Sequence, residues 1–118
     1  MDSSREKDDY YPTPPDATKK MIDCCPWLLC NNNQTSYDVW EPACGEGHIS
    51  EVLKDHSIKT YSTDLVDRGY GDLRNIDFLM EQKSLAPWIV TNPPYKLANE
   101  FVKHAYKLQE QSKDGEGF

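Results

Sequence analysis

The stretch Pro87-Trp88-Ile89-Val90-Thr91-Asn92 is an apolar run that ends against two adjacent prolines and a tyrosine, Pro93-Pro94-Tyr95. Neither proline can donate to a strand ladder or continue a helix from within. The run therefore reads as a buried strand (87–92) that stops at a rigid corner. Beyond it, Leu97, Ala98, Phe101, Val102, Ala105 and Leu108 recur at the spacing of one helix face, which predicts a helix from Lys96 to about Gln109. A strand, a stiff corner and a return helix already favour an α/β fold.

A second corner lies upstream. In Tyr37-Asp38-Val39-Trp40-Glu41-Pro42-Ala43-Cys44-Gly45-Glu46-Gly47 a short strand enters a glycine turn. His48–Ser57 follows as a helix with Ile49, Val52 and Leu53 on one face. Residues 58–66 read as a second strand, 67–75 as a loop that is either a substrate-side flap or a plain connector, and 76–79 as a short third strand. Before these, a helix is expected from about Asp16 to Cys25, interrupted or restarted at Pro26, and residues 31–36 form a polar loop. Strand, turn and helix followed by further strands imply a parallel sheet. Trp40 and Trp88 read as core, and His48 as a solvent-facing residue of a first helical turn.

The glycine turn is informative for what it lacks. A dinucleotide fingerprint needs a third glycine where Ser50 stands, and no Gly-Lys-Ser/Thr follows to make a phosphate loop. Glu41 and Glu46 flank the turn and would repel a pyrophosphate. Carboxylates there suit a ligand with an amine and sugar hydroxyls. Asp64 ends the second strand 17 positions after Gly47, close to where a ribose-binding acid belongs. Asp77 and Phe78 end the third; an acid accepts from an exocyclic amine, and a ring covers a purine face. Taken singly, Glu41 reads as a strand-end charge, Asp64 as a turn former and Asp77 as a loop acid. Their succession at consecutive strand ends outlines a pocket for an adenosine bearing a cationic amino acid.

With these pieces in place, the chain resembles the S-adenosylmethionine-dependent amino-methyltransferases, and most of all the stand-alone DNA adenine-N6 enzymes of bacteriophage type. Tyr11-Pro12-Thr13-Pro14-Pro15 resembles their N-terminal motif, Glu41–Ser50 their glycine-rich motif, Ser62–Leu79 the stretch with the ribose acid and the Asp-Phe pair, and Asn92-Pro93-Pro94-Tyr95 their catalytic motif. The resemblance implies a Rossmann-like methyltransferase fold, with a partial parallel sheet of the first four strands of seven. It implies S-adenosyl-L-methionine as cofactor. Glu41 would hold the methionine ammonium, directly or through water. Pro42, Ala43, Gly45 and Gly47 would pass under the cofactor, and Asp64 would take the ribose hydroxyls. Asp77 and Phe78 would read the adenine, while Thr13 and Pro14 would close the carboxylate end. Asn92, Pro93, Pro94 and Tyr95 would be catalytic, and no metal is implied. Two other readings share parts of the pattern: methylation of a protein glutamine or an RNA guanine, and an inactive fragment that at most binds cofactor.

Composition sets the remaining expectations. At 118 residues there is room for one core. The organisation expected is a tail over 1–11, a partial methyltransferase domain over 12–110 and a frayed tail over 111–118. A net charge of −7 is wrong for a chain that grips DNA unaided, so most contacts to a DNA substrate are expected from regions after residue 118. A bare fourth-strand edge would need a partner chain or a missing carboxyl-terminal half to cover it. Cys24, Cys25, Cys30 and Cys44 fit no zinc spacing and read as free thiols. The chain has neither a signal-peptide core nor a membrane-length apolar run, so a cytoplasmic setting, in a bacterium or a phage-infected cell, is expected.

Overall fold

The computed structural model describes residues 12–29, 36–84 and 86–115. Helix α1 (Pro15–Cys24) opens with proline, which suits a first helical turn because its missing N–H would be unpaired there anyway. A 3-10 turn, Pro26–Leu29, follows. Strand β1 (Val39–Glu41) leads through the glycine turn into α2 (His48–Asp55). Then come β2 (Thr60–Asp64), β3 (Leu73–Arg74), a 3-10 turn over Phe78–Met80, β4 (Trp88–Ile89), another 3-10 turn over Tyr95–Leu97, and α3 (Ala98–Gly115).

The strands form one sheet in the order β3-β2-β1-β4, with every pairing parallel. The chain is thus mixed α/β, with a small parallel sheet compatible with a Rossmann-like fold. Val39 pairs with Thr60 on one side and with Trp88 on the other. β1 is therefore where strand order reverses, and crevices for ligands open at the carboxyl ends of such strands.

Alternation along β1 sends its neighbours to opposite faces. Val39 joins Ile22, Leu28, Ile49, Val52, Leu53 and Ile58 under α1 and α2. Trp40 joins Phe78, Ala86, Phe101 and Leu108 under α3. Both faces of the sheet are covered, as parallel sheets require. Two side-chain hydrogen bonds tie strands within these layers: Trp40 Nε1 donates to Thr63 Oγ1 at 3.0 Å, and Asp38 Oδ2 accepts from Lys59 N at 2.9 Å.

Four expectations need correction. The third strand is not at 76–79 but at Leu73–Arg74, inside the expected loop, while Phe78–Met80 is a 3-10 turn. Asp77 causes this locally: its Oδ1 accepts from Leu79 N, which curls the backbone out of strand geometry. The fourth strand is only Trp88–Ile89, paired with Val39 and Trp40 of β1, its neighbour among the described residues. Trp88 is not core; it is 38% exposed and leans on Trp27, with 6.1 Å between ring centroids. The helix after the corner runs past the expected Gln109 into the expected frayed tail, as far as Gly115, and its stripe is divided. Phe101 and Leu108 are buried, whereas Leu97 and Val102 are exposed. The expected tail over 1–11 lies outside the described residues, as does Cys30. Cys24, Cys25 and Cys44 are free thiols.

Candidate functional site

Glu41 ends β1 and is 1% exposed. One carboxylate oxygen accepts from Ala43 N at 3.0 Å, which folds Pro42 and Ala43 back over the strand end. Burial pushes its pKa up to about 8, and the nearby Asp64 charge adds to the rise. The Thr91 hydroxyl and the Ala43 amide pull the other way. Thr91 Oγ1 is itself buried and meets Glu41 without the geometry of a full hydrogen bond. Thr91 lies just past β4, so a residue of the second corner bears directly on the acid of the first.

The turn between β1 and α2 needs its glycines. Gly45 and Gly47 have φ of 57° and 94°, in the left-handed region. A Cβ on Gly47 would lie 2.6 Å from the Tyr70 ring. Tyr70 sits on the turn and is tied to α2 beyond it: its hydroxyl donates to Glu51 at 2.6 Å and accepts from Lys54 Nζ at 3.2 Å. Burial, then the Glu51 bond, raise the Tyr70 pKa. Cys44 is buried in the turn, its thiol pushed up to about 12 by burial and then by Glu41 and Asp64. Ser50, where a dinucleotide fingerprint would have glycine, is fully buried, and Ser62 Oγ donates to Ser50 Oγ at 2.7 Å. A hydroxyl pair between α2 and β2 thus takes the place of bare glycine packing.

Asp64 ends β2 and binds the turn from the other side. Its Oδ2 accepts from Gly45 N at 2.7 Å and its Oδ1 from Val66 N at 3.1 Å. The carboxylate is half-buried. Two oxygens with about four lone-pair sites retain room for hydroxyl donors. Ile76 N donates to Asp64 O at 2.9 Å, which brings Asp77 to the same end of the sheet. Asp77 is exposed and caps its 3-10 turn. Phe78 faces the other way. It is 2% exposed, edge-on to Trp40 and His104, and against Phe101 at 4.9 Å between ring centroids. One part of its ring lines a cavity of about 260 Å³ shared with Ile89, Thr91, Pro93, Phe101 and Tyr106 among others.

At the second corner Asn92 is exposed, Pro93 and Pro94 are half-buried, and the Tyr95 ring is 70% exposed. Pro94 caps the short turn in an extended conformation, and Leu97 N donates to Pro94 O at 3.0 Å. Asn92 Nδ2 donates to Thr13 Oγ1 at 3.0 Å. Thr13 is half-buried and Pro14 exposed.

The fold therefore gathers Thr13 with Asn92, and Glu41 with Ala43, Gly45 and Asp64. It sets Asp77 beside them and turns Phe78 into the α3-side core. Tyr70, Asp72 and Thr91 are contributors that sequence reasoning passed over. Asp72 Oδ2 accepts from Ser62 N at 2.8 Å and continues the ladder of β2. The histidines have structural surroundings: His48 is half-buried, and His104 Nε2 lies 2.7 Å from Glu81 O. Among the described residues no group of His, Cys, Asp or Glu could hold a metal ion, and no helix is long and apolar enough to cross a membrane. No protein-family model, curated protein or solved structure matches the chain.

Proposed function

We propose that this chain carries the cofactor-binding and methyl-transfer half of an S-adenosylmethionine-dependent amino-methyltransferase acting on the N6 amine of adenine in DNA. One observation carries the reading. Asp64, Glu41 and the Asn92-Pro93-Pro94-Tyr95 corner stand at or just beyond the carboxyl ends of the three neighbouring parallel strands β2, β1 and β4, so that Glu41 lies between the acid suited to ribose hydroxyls and the corner suited to an amine. In this reading the finer fold is that of the methyltransferases, with the first four of their seven strands.

The residues fit the cofactor by chemistry. A buried carboxyl regains its charge when an ammonium approaches, and Glu41 is such a carboxyl. Its burial favours an indirect contact, through water or through the turn it braces. Asp64 offers acceptors to ribose hydroxyls. Bound S-adenosylmethionine supplies a methyl that is already electrophilic on its sulfonium. The chain's task is then alignment. Asn92 Oδ1 and the Pro93 carbonyl accept the two N–H groups of the amine, which draws its lone pair out of conjugation. As the new N–C bond formed, the sulfonium C–S bond would break, S-adenosylhomocysteine would leave as a neutral thioether, and the nitrogen would release one proton to solvent. Tyr95 offers an open ring for an extruded base, a stacking contact worth about 1–3 kcal/mol against the few that flipping costs.

The exposed apolar surface along β4 and α3 favours a further polypeptide segment beside this sheet, which would also supply most DNA contacts. Calorimetry with S-adenosylmethionine tests the reading, followed by transfer of labelled methyl to DNA, RNA and a glutamine-bearing release-factor-like protein. Binding with transfer to DNA adenine is expected. A folded chain that binds no S-adenosylmethionine overturns the proposal. Transfer to RNA guanine or protein glutamine would move it to those substrates.

A further inference from the structure

We propose that Thr13, rather than closing the carboxylate end of the cofactor as the resemblance implies, is a positioning residue that holds the carboxamide of Asn92 in its working place, an inference that rests on the methyl-transfer reading above. The two residues are 79 positions apart, yet Asn92 Nδ2 donates to Thr13 Oγ1 at 3.0 Å. Each stands before a double proline, in Thr13-Pro14-Pro15 and in Asn92-Pro93-Pro94. A residue before proline is confined to extended backbone, so both side chains leave from stiff supports. Thr13 is also β-branched, which restricts the direction of its hydroxyl. That hydroxyl has no capping role in α1, whose first turn closes on the backbone through Ala17 N donating to Pro14 O. Its partner is the exposed amide across the site.

The consequence is chemical. A carboxamide has two branches of nearly equal shape and opposite polarity. The reaction needs the oxygen toward the amine; a turned group would set one NH₂ against another. A hydroxyl can serve either branch, so Thr13 fixes the position and plane of the group. The incoming amine selects Oδ1, and the Thr13 hydroxyl accepts from Nδ2 as it does here. Thr13 thereby acts on the amine only through Asn92.

The test uses the whole chain, S-adenosylmethionine and a single-stranded oligodeoxynucleotide with one adenine. Thr13→Val removes the acceptor at constant shape, and Thr13→Ser keeps it. In Thr13→Val, kcat should fall about three- to tenfold, the worth of one hydrogen bond, while the KM for cofactor moves less than about twofold. Thr13→Ser should recover most of kcat. The side-chain NH₂ resonances of Asn92 should shift in Thr13→Val and return in Thr13→Ser, a readout that needs no turnover. A raised cofactor KM with unchanged kcat, or unmoved Asn92 resonances in Thr13→Val, overturns the positioning role and leaves the methyltransferase reading standing. A wild-type chain that neither binds cofactor nor transfers methyl overturns both.

Discussion

The carboxyl ends of β2 and β4 flank the same central strand and are finished in opposite ways. At β2, backbone and side chains close on one another. Gly45 and Val66 share the Asp64 carboxylate, Cys44 N donates to Thr63 O at 2.9 Å, and Asp72 and Ser62 bond twice. At β4, pairing covers two residues; Trp88 stands 38% exposed against Trp27, while Val102 and Tyr106, 54% and 65% exposed, line a cavity with Ile89 and Phe101. A strand with neighbours on both sides has its polar groups tied and its apolar groups covered. A strand at the edge has polar groups tied on one side and part of its apolar surface left open. The corner proposed for chemistry lies at the boundary, with Thr91 reaching Glu41 on the closed side and Tyr95 facing out on the open one.

The largest disturbance should come where the two regions share a residue. Trp40 belongs to the closed side by its strand and to the α3 face by its packing. Trp40→Ala should lose about 3–5 kcal/mol of stability by denaturant titration, through the cavity and the orphaned Thr63 hydroxyl. A loss below about 1 kcal/mol would mean that the two regions are not joined through this ring.

Glu41 should show up as a pH dependence. Its folded-state pKa of about 8 is above the ordinary value of 4.5, so the native chain holds a proton that the unfolded chain releases. That contribution to stability is full below about pH 4.5 and is lost as pH rises through about 8. Glu41→Gln should flatten the profile and, above pH 8, exceed the wild type by up to about 5 kcal/mol. It should also weaken S-adenosylmethionine binding, the usual exchange of function for stability. Parallel pH profiles of wild type and variant would remove Glu41 from the account.

The closed side can be forced open more gently. Gly47→Ala places a methyl into the Tyr70 ring at a left-handed position, and should lose about 1–3 kcal/mol. Gly69→Ala, also left-handed but with nothing within 4 Å, should lose less. Equal losses would show that backbone strain alone, not the Tyr70 contact, governs the turn. The smallest effect belongs to the open side. The double variant Val102→Ser with Tyr106→Ser should move stability by less than about 0.5 kcal/mol. It should lower self-association in sedimentation velocity, and unchanged association would argue that this surface is not sticky.

Much of the closed side was legible in the sequence. Glycines between an alternating strand and a periodic helix admit few geometries, and Asp64 has the spacing that brings it back to the turn. The 92–95 corner was legible because proline leaves so little choice. Elsewhere the signal failed for physical reasons. Ile76-Asp77-Phe78-Leu79 has strand-like composition, but a local cap by Asp77 outcompetes a ladder. β3 is too short and too exposed, at 49% for Leu73, to leave an apolar pattern. Trp88 reads as core because it is large and apolar, but it lies on an edge strand that leaves it 38% exposed. Tyr70 gave no sign at all, since its role comes from a loop folding back over Gly47.

Sheet order also governs the sequence of assembly. Val39 meets Thr60 across 21 positions of chain and Trp88 across 49. Closing the longer loop costs roughly 0.7 kcal/mol more in chain entropy, and the reward there is a two-residue pairing. β4 is thus expected to dock last in folding and to open first under native-state hydrogen exchange. The corner proposed as the amine acceptor follows the latest strand, so it would take shape only after the glycine turn has formed.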